Sequence, residues 1–278
     1  MEVRQKNYEI FTSTDVDDFM ITSTADLHYD ERFEKQKLLK LKDEILANES
    51  NYNCLIGDII NANNIENFDQ LLLFLEQISK YSKTIISFGN HEMIDIVNKK
   101  AVEQYPREFI KLLQGLKNVI VLNNSYYQEN NIEFAGITNS FAYYEKEKPE
   151  DFIAEVNENL DKPFNPNNFN ILLSHSPVNI ISAKGEANIL DNCDMVLSGH
   201  NHNGLVPPSL EKQFKTIGLI NHRKDIFPKY SRENFVVHGT EVIINGGITK
   251  FSSYSKFKGF NKHYFMDIDK IQVRSLKR

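Results

Sequence analysis

The 278-residue sequence has no long apolar run and very little cysteine. No stretch approaches the roughly 20 apolar residues that a helix needs to cross a bilayer, so no membrane span is expected. The first eight residues lack the apolar segment of a secretory signal, which makes a cytoplasmic location the expectation. Cys54 and Cys193 are isolated and lie in or beside apolar segments. They do not form a disulfide framework, and we expect two small buried side chains.

The sequence also lacks an excess of basic residues. Its 32 Lys and Arg against 38 Asp and Glu give a formal net charge of −6. Proteins that bind nucleic acid usually carry a basic surface, so nucleic acid is not an expected partner, although a local basic pocket is compatible with this charge. No repeat, low-complexity tract or obvious linker divides the sequence. We therefore expect a single domain over residues 1–278, large enough to bury a substantial core.

The first half of the sequence alternates between short apolar runs and amphipathic segments. Three runs predict buried strands: Phe19–Ser23, Asn53–Ile56 and Thr84–Phe88. Apolar residues at helical spacing predict helices over residues 33–48, 68–78 and about 102–116. Such alternation predicts a parallel sheet with right-handed crossover connections.

The second half is richer in strands. Asn118–Leu122 predicts one strand, and Tyr126–Gln128 with Ile132–Ile137 predicts a hairpin. Further strands are predicted at Phe169–Leu173, Met195–Leu197, Val236–His238, Glu241–Ile244, Tyr264–Ile268 and Ile271–Val273. The sequence therefore predicts an α/β domain with two sheets.

The sequence contains five short polar clusters, and almost every one comes directly after a short apolar run that predicts a buried strand. They are Asp26-Leu27-His28, Gly57-Asp58, Gly89-Asn90-His91, Ser174-His175 and Gly199-His200-Asn201-His202. Open α/β sheets place their ligand sites at the carboxyl ends of the strands. Carboxylate, amide and imidazole groups suit divalent metals, and no cysteine is among them. The pattern predicts a catalytic site that holds two divalent metals side by side.

Each cluster alone has a simpler explanation. Gly-Asp commonly forms a turn, Asn-His can cap a helix, and a single buried histidine is more often a core residue than a ligand. His200 and His202 give a stronger signal, because alternate residues of an extended segment point the same way. Five clusters at strand ends are hard to explain by packing, since these residue types suit strand ends poorly. The joint pattern favours the metal site.

Residues outside the clusters are interpreted without a role in the site. The charge run Glu145–Asp151 is interpreted as a solvated face or loop. Three further histidines are interpreted as surface or structural residues: His222, His238 and His263. The segment Gly204–Ser231 is longer than a tight connection and contains several cationic residues. It is either an ordinary surface excursion or a loop over the site that contributes cations, and the sequence does not decide between them.

The order of the five clusters resembles that of the calcineurin-like metallophosphoesterases. The resemblance covers the chain from about Phe19 to the strands after His238. Val236–Ser253, with Ile-Asn-Gly-Gly-Ile-Thr-Lys-Phe, resembles a bacterial branch of small single-domain members. The fold that the resemblance implies is a four-layer αββα sandwich, in which two mixed β-sheets are flanked by helices.

The resemblance also implies a role for each residue of the clusters. The first metal would take Asp26, His28 and His202; the second would take Asn90, His175 and His200; Asp58 would bridge the two. His91 would stay off the metals, face the substrate and act as the catalytic residue.

Two positions depart from the family pattern. Ala25 stands where a serine is common, which removes only a hydrogen bond behind the ligand. Asn61 stands where many members have an aspartate that pairs with the substrate-facing histidine. Asparagine can orient an imidazole but cannot favour its protonated form by charge. Either His91 is a weaker acid than usual, or another carboxylate such as Glu92 or Asp95 supplies the charge.

The function implied is a metal-dependent phosphoric-ester hydrolase. A hydroxide that bridges two divalent ions would be the nucleophile, and His91 would protonate the leaving oxygen or stabilise its charge. Manganese is the metal expected from the resemblance, with iron or zinc as alternatives, because nitrogen and oxygen ligands alone do not choose among them. The expected substrate is a small or lipid-linked phosphomonoester or diester. The alternatives are a non-catalytic interaction scaffold of the same fold and a nuclease.

Overall fold

The structure is a computed structural model that describes residues 2–30, 33, 35–98, 100–160, 162–183, 186, 188–221, 223–248 and 265–277. Two six-stranded mixed sheets form its centre. Across these described residues, no helix is both long and apolar enough to span a bilayer.

The first sheet is built mainly from the first half of the chain. Its strands stand in the order β1 (Glu2–Thr12), β14 (Phe265–Ser275), β2 (Phe19–Thr24), β3 (Tyr52–Ile56), β4 (Lys83–Ser87) and β7 (Val119–Leu122). From β2 to β7 all neighbours are parallel, as the alternating pattern predicts, and only the β2–β14 pair is antiparallel. The carboxyl ends of β2, β3 and β4 therefore lie at one edge of this sheet.

The second sheet is built from the second half. Its strands stand in the order β12 (Glu233–Val237), β13 (Thr240–Ile244), β11 (Met195–Ser198), β10 (Phe169–Ser174), β9 (Ile132–Ile137) and β8 (Ser125–Glu129). The central pairs are parallel, and the hairpins β8–β9 and β12–β13 make both edges antiparallel. The predicted hairpin at residues 126–137 is confirmed.

Side chains of successive strand residues alternate between two cores. In β3, Cys54 belongs to the core between the sheets, whereas Leu55 packs with the helices α1 (Lys35–Ala47), α2 (Asp69–Ser79) and α3 (Arg107–Gln114). In β10, Ile171 belongs to the central core, whereas Leu172 packs with α4 (Phe141–Lys146), α5 (Pro149–Asn159) and α6 (Ile180–Ala183). The layers run helix, sheet, sheet, helix, which confirms the four-layer αββα sandwich.

Several elements differ from the prediction. The polar strand β1 was not predicted; it pairs in parallel with β14 over its whole length. The helix expected from about residue 102 begins only at Arg107, because Pro106 precedes it and the residues before it form the hairpin β5 (Ile94–Val97) and β6 (Lys100–Glu103). The two last predicted strands are one continuous strand, β14, and Tyr264 lies outside the described residues. Part of the tail motif, residues 249–253, also lies outside them.

Candidate metal centre

The polar clusters of both sheets meet at one place. The imidazole of His175, after β10, has its Nδ1 2.8 Å from the carbonyl oxygen of Ile56 in β3 of the other sheet. Gly199, after β11, lies so close to Ala25 and Asp26 that a Cβ added there would stand 2.5 Å from the Ala25 Cβ. Only glycine permits this approach. The carboxyl ends of the two sheets therefore form a common edge around the predicted ligands.

The backbone at this edge is strained in a consistent way. Positive φ angles occur at Asp26 (52°), His28 (47°), Asp58 (50°), His200 (68°) and His202 (45°). Each such residue costs on the order of 1–3 kcal/mol, and the conformation persists only where neighbours hold it. Here the backbone N–H groups of Asp26 and His28 donate to the carbonyl oxygens of Gly57 and Asp58 at 3.1 and 2.8 Å. The strained turns aim the side chains at one another.

The first group of side chains comprises Asp26, His28 and His202. Its donor atoms all lie within 4.8 Å of one another. Asp26 Oδ1 is 3.8 Å from the Nε2 atoms of both histidines, and those two Nε2 atoms are 3.3 Å apart. The geometry brings together the three residues assigned to the first metal.

The second group comprises Asp58, His175 and His200, which are all buried. Asp58 Oδ2 is 3.2 Å from His175 Nε2, and the two imidazole rings are 5.0 Å apart between centroids. Asp58 Oδ2 also lies 3.8 Å from His28 Nε2 of the first group. Asp58 therefore stands between the two groups, where the bridging ligand was assigned.

The donor atoms fit a metal. Asp26 Oδ1 is buried and lies 3.8 Å from three imidazole nitrogens, those of His28, His175 and His202, yet it has no hydrogen-bond partner among the described residues. Asn90 Oδ1 is likewise buried without such a partner. Buried oxygen atoms that face several imidazole nitrogens but have no hydrogen-bond partner of their own suit a bound cation. The set contains no thiol, since Cys54 and Cys193 lie in the apolar cores.

The pKa values of Asp26 and Asp58 are shifted in opposite directions. Burial raises the pKa of Asp26 well above its ordinary value. Burial acts in the same direction on Asp58, but His175, His91 and His28 outweigh it and hold the pKa of Asp58 below its ordinary value. Asp58 is therefore the carboxylate that stays ionised, and a cation between the groups would favour ionisation of Asp26 as well.

Glu92 holds two of the ligand loops in place. Its buried carboxylate accepts hydrogen bonds from the backbone N–H groups of Asp58, Ile59, Ile60 and Gly89 at 2.6–3.0 Å. Because Glu92 is fully used by these four donors, it supplies no hydrogen bond to His91. Burial raises the pKa of Glu92. The residue is a structural anchor that joins the loop after β3 to the loop after β4.

His91 lies at the rim of the centre, partly exposed. Its ring packs edge-on against His28 at 4.5 Å between centroids, and its backbone N–H donates to Asp58 Oδ1 at 2.8 Å. Its Nδ1 is 2.7 Å from the backbone carbonyl oxygen of Asn61. Asn61 thus orients the imidazole through its main chain, and neither Glu92 nor Asp95 bonds to the ring in the part of the chain that is described.

Two residues beside the second group were missed in the sequence. Glu147, in the run interpreted as solvated, is only 1% exposed, and its Oε1 is 3.1 Å from His200 Nε2. The interpretation was wrong for this residue because it ends α4 with a left-handed turn that buries its side chain. Tyr144 places its buried ring against His200, tilted by 55° with 5.2 Å between centroids, and its hydroxyl has no hydrogen-bond partner among the described residues. No spacing in the sequence marks either residue.

The segment Gly204–Ser231 contributes a cation. It contains a short helix, α7 (Glu211–Phe214), and beyond it Arg223 Nε lies 3.7 Å from Glu147 Oε2. This contact supports the interpretation of the segment as a loop beside the site. Of the three remaining histidines, His238 is exposed in the β12–β13 turn, as expected, and His222 and His263 lie outside the described residues.

Comparison with known proteins bears on the family. A comparison with curated proteins gave no match. The model of the calcineurin-like phosphoesterase family matches residues 19–204, a range that contains all five clusters and the groups of donor atoms described above. This match covers more than half of the 278 residues. The chain belongs to the calcineurin-like phosphoesterase family.

Proposed function

We propose that the protein hydrolyses phosphoric esters with a dinuclear metal centre. The family supports metal-dependent phosphoester hydrolysis in general. The observation that carries the dinuclear proposal is the position of Asp58, whose Oδ2 lies 3.2 Å from His175 Nε2 of one group and 3.8 Å from His28 Nε2 of the other. Two groups that share one carboxylate suit two neighbouring cations.

The proposed ligands follow the two groups. Asp26, His28 and His202 would hold one ion, Asn90, His175 and His200 the other, and Asp58 both. When bound, two divalent ions supply Lewis acidity toward phosphoryl oxygens and a nucleophile from water at neutral pH. Manganese is proposed first, with iron or zinc as alternatives. No serine or cysteine nucleophile is needed for this chemistry.

His91 is the proposed proton donor. Since the Asn61 carbonyl oxygen can only accept, the Nδ1 of the ring carries a proton, and Nε2 is left for the substrate. A ring nitrogen of His91 also lies within 4.8 Å of donor atoms of His28 and Asp58, which places the proposed donor beside the proposed ions. Nε2 donates a proton to the leaving oxygen when the ring is protonated. The carbonyl fixes the tautomer and orientation without adding a full negative charge.

The hairpin β5–β6, which follows His91 in the sequence, bears on the proposed substrate. It exposes Ile96, Val97 and Val102. Exposed apolar side chains that lie together can mark a binding surface, and these would suit a leaving group with an apolar part. This supports the lipid-linked option within the proposed substrate class of phosphomonoesters and diesters.

The decisive experiment combines metal content with activity. The purified protein, loaded with Mn²⁺, is assayed with bis-p-nitrophenyl phosphate and with p-nitrophenyl phosphate, and the bound metal is counted. We expect two ions per chain and hydrolysis of at least one ester. Asp58→Ala should lose both metal and activity, whereas Glu133→Gln, a change to a buried carboxylate paired with Lys162 and outside both groups, should keep them. A wild-type protein with no bound metal and no activity with Mn, Fe, Zn or Ni would favour the scaffold instead.

A further inference from the structure

Glu147 occupies a position that is unfavourable for a glutamate. It lies between α4 and α5, its side chain is almost fully buried, and its backbone is left-handed, with φ 46° and ψ 53°. Glycine and asparagine are the residues that adopt this conformation with the least strain. A buried carboxylate also needs polar partners to offset its lost hydration. A glutamate that is both strained in its backbone and buried at its carboxylate is expected to have a function for its side chain.

The carboxylate of Glu147 contacts the two loops that carry the histidines of the second group. Its Oε1 lies 3.1 Å from Nε2 of His200 and accepts a hydrogen bond of 3.2 Å from the hydroxyl of Ser176, the residue after His175. One oxygen atom therefore joins the loop after β10 to the loop after β11. Movement of Glu147 would change the position of both loops.

Hydrogen bonds also fix the backbone of Glu147. Its carbonyl oxygen accepts a hydrogen bond of 2.9 Å from Asn179 Nδ2, and its N–H donates to the Tyr143 carbonyl oxygen. The hydroxyl of Tyr143 lies 3.3 Å from that of Ser176. Tyr143 and Glu147 therefore both contact the loop after β10 through Ser176. These contacts make Glu147 a fixed support.

Glu147 is not itself grouped with the metal-binding side chains. The donor atoms of Asp58, His175 and His200 lie within 4.8 Å of one another, and no described group of this kind includes Glu147. Because Glu147 contacts Nε2 of His200, Nδ1 is the nitrogen that would bind the ion. Carboxylates that contact the other nitrogen of a metal-binding histidine fix the ring and increase its basicity, and their loss commonly weakens metal binding about 10- to 100-fold.

We propose that Glu147 is the positioning residue of the second metal-binding group: its carboxylate fixes the imidazole of His200 and the loop after His175, and thereby sets the affinity of that group for its ion. The proposal rests on the proposed dinuclear function. Arg223 of the Gly204–Ser231 segment lies 3.7 Å from the other carboxylate oxygen of Glu147, and its guanidinium also donates to Asp225 Oδ2 at 2.8 Å.

The test measures Mn²⁺ binding by titration calorimetry and by electron paramagnetic resonance, which distinguishes an isolated Mn²⁺ from a coupled pair. Glu147→Gln keeps the shape of the side chain and removes its charge. We expect wild type to bind two ions and to give the coupled signal. The variant should bind one ion as wild type does and the other about 10- to 100-fold more weakly, with an isolated-ion signal at limiting Mn²⁺.

Two further variants keep the test sharp. Glu133→Gln, the matched change to a buried carboxylate outside both groups, should retain two-ion binding. Ser176→Ala is a small change that removes the second partner of Glu147 Oε1, and it should weaken the same ion to a smaller extent, even if Glu147→Gln folds poorly. Unchanged affinity for both ions in Ser176→Ala and in folded Glu147→Gln would overturn the positioning role. A wild-type protein that binds no Mn²⁺ would overturn the proposed function itself.

Discussion

At the scale of single residues, the types of the ligands can be read from the sequence but their supports cannot. Eight of the ten residues that line the two groups and the rim stand in short clusters after strands, so strand prediction alone brings them together. Tyr144 and Glu147 are the other two, and Glu147 reaches the centre through a left-handed turn that no local pattern marks. The orientation of the His91 ring also could not be predicted from the sequence, because it depends on a main-chain carbonyl, which every residue possesses.

His91→Ala separates proton donation from metal binding. Because His91 is proposed to act on the leaving oxygen and not to bind an ion, turnover should fall about 10²-fold or more. The number of bound ions should stay at the wild-type value. Steady-state kinetics with p-nitrophenyl esters and metal analysis of the same preparation check both statements. If the variant instead lost its metal, His91 would have to be reassigned as a ligand.

Asn61→Ala tests how His91 is oriented. The contact uses the backbone carbonyl of Asn61, and the alanine variant retains that group. We expect kcat within about threefold of wild type, since a change below about 0.7 kcal/mol is what loss of an uninvolved side chain produces. A fall comparable to that of His91→Ala would show that the amide side chain, and not the carbonyl, positions the imidazole.

At the scale of elements, apolar periodicity predicted the strands of the central layers well and the edges poorly. β3 and β4 are buried on both faces and therefore read as continuous apolar runs. β1 is an edge strand whose sequence, Glu-Val-Arg-Gln-Lys-Asn-Tyr-Glu-Ile-Phe-Thr, is largely polar, and only its pairing with β14 explains it. The hairpin β5–β6 is short and exposed, so its pattern could not be told from the start of a helix.

The loop after β13 packs against Asp26, a proposed ligand of the first group, and Gly247→Ala tests whether this contact matters for metal binding. A Cβ at Gly247 would stand 2.5 Å from the Cβ of Asp26, and the residue has φ 59°. The variant should be destabilised and should bind its first ion more weakly, because Asp26 must shift. Gly239→Ala is the matched control: its φ is 84°, but a Cβ there meets nothing within 4 Å. If the two variants bound metal with equal affinity, the contact between Gly247 and Asp26 would have no part in metal binding, and any effect would come from backbone strain at the glycine.

At the scale of the whole molecule, two expectations remain predictions. They are a single domain over residues 1–278 and a cytoplasmic location. The layer order was implied by the family resemblance, whereas the apolar pattern alone predicted an α/β domain with two sheets and not how they pack. The pairing of the chain's first and last described strands, β1 and β14, could not be predicted, since contacts between distant segments leave no local periodicity.

Asp269 gives the stability of the whole fold a dependence on pH. Burial raises its pKa from 3.8 to about 6, although Lys6 and a 2.7 Å hydrogen bond from Asn245 act against this. The folded state therefore favours the protonated form; the associated stabilisation is complete below about pH 4 and is lost as the pH rises through about 6. Asp269→Asn, which is neutral at every pH, should gain stability relative to wild type by about 3 kcal/mol at most between pH 4 and 7. Urea unfolding at both pH values measures it, and a difference that does not change with pH would contradict the assignment.

The two groups of donors also have a mechanical consequence. Asp26, His28 and Asp58 follow strands of the first sheet, whereas His175, His200 and His202 follow strands of the second, so each of the two proposed ion sites takes members from both. Cations bound there would act as non-covalent cross-links across the seam between the sheets. Chelation should then loosen the sandwich as a whole: amide hydrogen exchange should accelerate in β3 and in β10 together, and the unfolding temperature should fall. The proposed metal centre would in this way also couple the rigidity of one sheet to that of the other.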